Sequence, residues 1–297
     1  MLAELLSRAP LLTDGALGTE FQARGLASGD LPDEWNLSRP QVVEEVIRSY
    51  VEAGSDIVLT ATFRANRIVL AASGLADKLE AINRAGVAAA KRAAGDRARV
   101  FASVGPSGKL LMTGDVTDDE LRAAFTEQSR ILASAGADGI IFETMTDLDE
   151  AAIAVESARG LGVPVGCSMV FDSGRNKDRT MMGATPEQVA ERLEAAGADI
   201  IGANCGTGIE PYINVCRRMR AATSRPLWIK PNAGLPQMED GKAVYKTTPE
   251  EFAGRVPALV EAGASFIGGC CGTNPAFIRA ARAGLSDANR TCRSYPQ

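Results

Sequence analysis

The chain has 297 residues, 45% of them hydrophobic and 23% charged, with a net charge of −5 and no histidine. That is apolar material enough for a full core without disulfide staples, and the acidic balance argues against a nucleic-acid partner, which needs a basic face. Without imidazole, every mechanism that uses histidine as base, nucleophile or metal ligand is excluded, so a metal site here has only thiols and carboxylates to draw on.

No apolar run approaches the ~18 residues that span a bilayer. The opening MLAELLSRAPLL carries Glu4 and lacks a cationic start followed by an apolar block, so it does not read as a signal peptide. The chain is expected to be cytoplasmic, with no membrane partner. There its six cysteines stay reduced and serve metal binding or catalysis rather than disulfides.

In chain order, Leu11–Asp14 reads as the first strand, followed by a long loop to Pro40. Ser38 is placed to cap a helix in which Val42, Val43, Val46, Ile47 and Tyr50 recur at helical spacing, stopped by Gly54. Further strands are expected at Asp56–Thr60, Val100–Val104, Gly139–Glu143, Pro164–Val170, Asp199–Ala203, Pro226–Lys230 and Ser265–Gly268. Helical patterning fills the intervals at Leu79–Ala94, Thr117–Ala135, Leu148–Leu161, from Thr185, Glu210–Ala222, Pro249–Ala262 and Pro275–Ala283. Thr117 with Glu120 has the form of a capping box, and Asn274-Pro275 suits a helix start. Phe171–Ala184 and the stretch PNAGLPQMEDGKAVYKTT read as long loops.

Short strands alternating with helices imply a parallel sheet with right-handed crossovers. Eight such pairs imply an α/β fold of the (β/α)8 TIM-barrel type, a single domain over 1–286 with a tail at 287–297. The alternative is an open doubly wound sheet, but no phosphate-binding glycine fingerprint follows the first strand. Four stretches also share one pattern: EAGSDIVLTAT (52–62), SAGADGIIFET (134–144), AAGADIIGANC (195–205) and EAGASFIGGCC (261–271). Each closes a helix with Ala-Gly and then enters an apolar strand, and alternate strands of a barrel supply one side-chain layer.

In a barrel the carboxyl ends of all strands ring one mouth. Asp14, Glu143, Asn204, Cys205, Asn232, Cys270 and Cys271 would all lie on it. Three cysteines with an open fourth position form a catalytic zinc pattern, and thiolates select zinc over magnesium or calcium. An adjacent Cys-Cys pair needs a tight backbone turn, which Gly269 and Gly272 permit. The competing reading of any cysteine is a small buried hydrophobe. It is assigned to Cys167 in a strand and Cys216 in a helix, while Cys292 in the tail is expected to be idle.

The stretches DGALGTE (14–20), TATFRANRIVL (60–70), FETMTDLDEA (142–151), GANCG (202–206), PNAGLP (231–236) and GGCCGTNPAFIRA (268–280) resemble the homocysteine S-methyltransferase family over nearly the whole chain. ANRIVL, VGPSGKL and the PNAGLP loop look most like the homocysteine domain of cobalamin-dependent methionine synthase and its free-standing relatives. The resemblance implies a (β/α)8 barrel in which Cys205, Cys270 and Cys271 bind Zn2+ and homocysteine supplies the fourth ligand through its sulfur. It assigns the substrate ammonium to Glu143. Asp14 would help orient that ammonium, the backbone N–H groups at Gly15 and Ala16 would hold the carboxylate, and Asn204 and Asn232 are weaker contacts.

For the methyl donor two expectations stand. One is a methylcorrinoid on a separate protein docked over the mouth, since no folate or cobalamin domain is expected after the barrel and no histidine exists to ligate a corrinoid. The other is a small cation such as S-methylmethionine, S-adenosylmethionine or betaine, which would want an aromatic face such as Trp35, Phe63 or Tyr245. Two different classes also remain: a non-catalytic zinc-binding barrel, and a zinc hydrolase. The hydrolase is disfavoured because an all-thiolate shell makes zinc a poor Lewis acid and no histidine can move protons.

Overall fold

The computed structural model describes residues 1–27, 29–239 and 242–293, with 242 and 286–293 described as backbone only. Its parallel strands are β1 (Leu11–Leu12), β2 (Ile57–Leu59), β3 (Arg99–Val104), β4 (Gly139–Met145), β5 (Val165–Met169), β6 (Ile200–Cys205) and β7 (Leu227–Pro231). A small antiparallel hairpin of β8 (Gln237–Glu239) and β9 (Lys242–Val244) then precedes the last barrel strand, β10 (Ala264–Ile267). The 8-stranded sheet runs in chain order around a ring, with β10 returning to pair with β1. This is the (β/α)8 barrel, not the open doubly wound sheet.

β1 and β2 close the ring by a different chemistry. Asp56 N–H donates to the Leu12 carbonyl (2.7 Å). In return the Asp56 carboxylate accepts from Leu12 N–H (2.9 Å), and the Asp14 carboxylate accepts from Leu59 N–H (2.7 Å). Two acidic side chains thus take the places of ladder carbonyls for the Leu12 and Leu59 amides where the short strands diverge.

The barrel interior is filled by Leu11, Ile57, Leu59, Phe101, Ile141, Ile200, Trp228 and Phe266. Trp228 stacks on Phe101 at 6.0 Å between centroids and tilts against Phe266 at 5.4 Å. A helix at Leu2–Leu6, which the sequence pattern did not announce, packs Leu5 against this cluster. Outside the ring a second, larger core joins the strands to the surrounding helices.

Several helix boundaries follow their capping residues. Thr117 with Glu120 and Thr185 with Gln188 form complete capping boxes, and Gly54 ends its helix at φ 105°. Ser38 does not cap the helix Pro40–Ala53: it closes a short helix, Trp35–Ser38, and its hydroxyl donates to Glu34. Pro40 itself sets the start, its ring fixing φ at the first helical position. The expected helix over Pro249–Ala262 is two, Pro249–Ala253 and Val256–Glu261, because Pro257 is tolerated only in a first turn.

The last helix is Pro275–Arg293, longer than the Pro275–Ala283 expected. The side chain of Cys292 lies outside the described residues, as do residues 294–297 of the tail. Among the described residues no helix is long and apolar enough to cross a membrane.

Candidate metal centre

Strand parity delivers the site. Successive side chains on a strand point to opposite faces, so residues two apart share one. From the aromatic and aliphatic layer, two steps along the same face lead from Phe101 to Ser103, from Ile141 to Glu143 and from Trp228 to Lys230. Four steps lead from Ile200 to Asn204 and from Phe266 to Cys270. The barrel interior is therefore apolar below and turns polar at the carboxyl ends, where Ser103, Glu143, Lys230, Cys205, Cys270 and Cys271 line one cavity of about 270 Å³.

The three sulfurs of Cys205, Cys270 and Cys271 lie within 4.8 Å of one another, with 2.9 Å between Cys205 Sγ and Cys270 Sγ. Backbone conformation is spent to bring them there. Cys205 sits at φ 62° and Thr144, opposite it, also at φ 62°. Left-handed backbone is costly for a β-branched residue and persists only where the surroundings fix it. The surroundings here are Asn204. Its Oδ1 accepts from Thr144 N–H (2.7 Å) and from the Ser168 hydroxyl (2.7 Å), while its Nδ2 donates to Thr144 Oγ1 (2.7 Å). The same Nδ2 lies 3.7 Å from both Cys205 Sγ and Cys270 Sγ.

The segment after β7 ties the two sulfur-bearing strands together. Asn232 N–H donates to Cys205 O (3.1 Å), Ala233 N–H to Cys271 O (3.0 Å), and Cys270 N–H to Pro231 O (2.8 Å). The Asn232 side chain donates to Gly206 O (2.7 Å). The Cys-Cys turn depends on Gly272, at φ 83° and lying against the Tyr245 ring. Gly269 contributes space instead, since a Cβ there would overlap the Thr273 side chain.

Hydrogen bonds from Cys205 and Cys270 draw the Cys271 thiol down to about 3, and the same contacts with burial hold Cys205 well above the ordinary thiol range. Ionising all three needs a cation among them, and three convergent thiolates are the donor set of a soft divalent ion such as zinc.

Beside the sulfurs lies a charged trio. Glu143 accepts a hydrogen bond from the Ser103 hydroxyl (2.6 Å), and burial pushes its carboxyl up to about 7 against the pull of the Lys230 charge. Lys230 donates to Asp14 Oδ1 at 2.6 Å, both side chains being buried. Both Asp14 oxygens are therefore engaged, one by Lys230 and one by Leu59 N–H. Gly15 and Ala16 line the cavity, and Ala16 N–H donates to Thr273 Oγ1 (3.2 Å). Asn204 and Asn232 stand behind the cysteines, holding backbone and sulfur in place. The sequence reading missed Lys230, Ser103 and Thr144. For Lys230 and Ser103 the signal was present, as a polar residue two places beyond a buried aromatic in WIKP and FASV.

Of the remaining thiols, Cys167 is fully buried in β5, and Cys216 packs within the helix Ile209–Ala222, where burial pushes it up to about 12. Trp35 is covered by its own Arg39, whose guanidinium lies 4.7 Å from the ring centre. Phe63 does line the cavity. A wider cleft of about 1020 Å³ runs along the helix Asp118–Ser134, but it is open, lined by charges of both signs, and holds no thiol.

Comparison with known proteins gives a consistent picture. The profile of the homocysteine S-methyltransferase family matches residues 11–285. The chain is 33% identical over 308 residues to the methionine synthase of Mycobacterium tuberculosis, covering 97% of this chain and 26% of that protein. It is 29% identical to homocysteine S-methyltransferase 4 of Zea mays, covering 93% and 90% of the two chains. Among solved structures, the metallated form of the homocysteine methyltransferase MmuM from Escherichia coli aligns with a TM-score of 0.79 at 26% identity, covering 95% and 98% of the two chains. The chain spans about a quarter of the length of the mycobacterial methionine synthases it matches.

Proposed function

The chain belongs to the homocysteine S-methyltransferase family, and on that premise we propose that it moves a methyl group to the thiol of homocysteine, yielding methionine, at a Zn2+ ion held by Cys205, Cys270 and Cys271. The observation that carries this reading is the convergence of those three sulfurs, within 4.8 Å of one another, on the cavity at the carboxyl ends of the strands. Zinc bound by three thiolates would deprotonate an incoming thiol outright, where a free thiol of pKa about 8.5 is mostly protonated at neutral pH.

The chain's own residues hold and orient. Asn204 fixes Thr144 and points N–H toward two of the sulfurs, so the ligand set is preorganised. Glu143 takes the substrate ammonium, which would keep its carboxyl ionised. No general base is required of the protein, in keeping with a sequence that has no histidine. The reducing cytoplasm is the compartment in which three unpaired site thiols would persist.

For the donor we favour a methylcorrinoid on a partner protein. The support is the rim of the mouth. Met112 follows β3, Met181 and Met182 follow β5, and Leu235 and Met238 follow β7, and all five are exposed. Pliable thioether side chains suit a surface that packs against another protein. The test is a panel assay with zinc-loaded protein, homocysteine and each donor in turn. Methyl transfer from a methylcorrinoid protein is expected. Turnover with S-methylmethionine, S-adenosylmethionine or betaine alone would overturn the donor assignment. A sulfur count by X-ray absorption that stays at three when homocysteine is added would overturn the catalytic reading in favour of a structural zinc barrel.

A further inference from the structure

We propose that Lys230 recognises the carboxylate of the thiol substrate, an inference that rests on the homocysteine reading of this site. Lys230 is the inward residue two steps beyond Trp228 on β7, it is 2% exposed, and it lines the same cavity as Glu143 and the three cysteines. An ammonium group has three donors and no acceptor. Among the described residues its Nζ makes one hydrogen bond, to Asp14 Oδ1 at 2.6 Å. Two N–H donors thus remain at the wall of the cavity, and a buried charge with unused donors is expensive unless something arrives to use them.

Asp14 fixes this group without consuming it. Its second oxygen is committed to Leu59 N–H across the seam of the barrel, so the carboxylate is anchored to two strands and aims Lys230 from below. The Trp228 ring lies 5.8 Å from Nζ and limits where the side chain can go. Of the two backbone donors expected to hold a carboxylate, at Gly15 and Ala16, the Ala16 N–H is already donated to Thr273 Oγ1. Burial works to lower the Lys230 pKa, but the Asp14 and Glu143 charges raise it above its ordinary value, so it stays cationic. The cavity then offers three separate anchors: sulfurs for the thiol, Glu143 for the ammonium, and Lys230 for the carboxylate.

The test is calorimetric binding to the zinc-loaded full chain, with three thiols as probes: homocysteine, homocysteamine, which lacks the carboxylate, and γ-mercaptobutyrate, which lacks the ammonium. The parent protein should prefer homocysteine over homocysteamine by roughly 10- to 100-fold, as for a charge-assisted hydrogen bond. Lys230→Met should bring that ratio near one while leaving the preference over γ-mercaptobutyrate in place. A merely structural lysine would weaken all three thiols together and leave the ratios alone.

Because Lys230→Met strands the Asp14 charge, the double variant Asp14→Asn/Lys230→Met is measured beside it, removing both members of the buried pair. The same collapse of the ratio is expected there. A folded, zinc-replete variant of either kind that still discriminates like the parent overturns the proposal. So does a crystal structure of the parent with homocysteine whose carboxylate lies out of hydrogen-bond reach of Lys230 Nζ. A parent chain that binds none of the three thiols is a different result, which overturns the homocysteine reading itself.

Discussion

A side chain with two donors and one acceptor oxygen can organise several groups only where the fold brings them to it, and Asn204 is so placed. It satisfies the Thr144 amide, the Ser168 hydroxyl and the Thr144 hydroxyl, and lies 3.7 Å from two site sulfurs. Asn204→Ala should therefore cost about 2–3 kcal/mol of stability, through the buried amide it strands. It should also weaken zinc binding roughly 10- to 100-fold, as loss of an outer-shell partner does elsewhere. Competition against a chromophoric chelator reads the second effect, and unchanged affinity would leave Asn204 a purely structural residue of β6. Asp33 makes a second case at this scale. Its Oδ1 accepts from Arg64 N–H (2.8 Å), its Oδ2 is buried without a partner, and burial raises its carboxyl from 3.8 to about 7. The folded chain then holds a proton that the unfolded chain has released, so the stability present at low pH is lost as pH rises through about 7. Asp33→Asn removes that dependence, and its stability relative to the parent should grow between pH 5 and pH 8 by up to about 3 kcal/mol. Urea denaturation at both pH values decides it, and parallel profiles would show that Asp33 titrates as an ordinary carboxyl.

Elements were legible where a local rule fixes them. The capping box at Thr117, the helix start at Thr185, the left-handed stop at Gly54 and the Asn274-Pro275 start all act within one turn of chain, and each stands as read. The short helices Leu17–Ala23 and Trp35–Ser38 were not legible, because so few turns cannot hold themselves together. Their support is tertiary: Trp35 packs on Phe21 at 5.5 Å, and Asn36 Nδ2 donates to Ala61 O (2.7 Å). No periodicity records such contacts. The site divides in the same way. Cysteines announce themselves by type, whereas Lys230 looked like the end of a strand until Trp228 beneath it showed which face it occupies. The same cross-strand packing makes Gly202 a sensitive position, since a Cβ there would overlap the Trp228 backbone on β7. Gly202→Ala should cost roughly 3 kcal/mol by overpacking, and it should lower zinc affinity because β6 ends in Cys205. Thr185→Ala, on the outer face, should cost about 1 kcal/mol and leave zinc affinity alone. Denaturant melts with metal titrations separate the two, and equal effects on zinc would detach the strand packing from the site.

At the scale of the molecule, the barrel brings together groups that the chain keeps apart. Cys205 and Cys270 stand 65 positions from each other, with all of β7 and its hairpin between them. A bound ion at their sulfurs would tie β6 to the turn after β10 across β7. Binding to the folded chain alone stabilises it by about 4 kcal/mol when free metal exceeds its dissociation constant a thousandfold. For a chain of this size that predicts a Tm lower by roughly 6 °C after chelation. The loss should not spread evenly. β6, β7 and residues 268–274 depend on the cluster, whereas the seam between β1 and β2 is held by Asp14 and Asp56 with no sulfur involved. Hydrogen exchange after chelation should therefore quicken at 200–206, 227–233 and 268–274 and stay unchanged at 57–59 and 99–104. Exchange that quickens uniformly would mean that the ion stabilises the barrel as a whole, and exchange that does not change at all would mean that these thiols hold no metal. Only the local pattern fits the proposed centre, whose ligands would have to remain adjustable enough to admit a fourth sulfur.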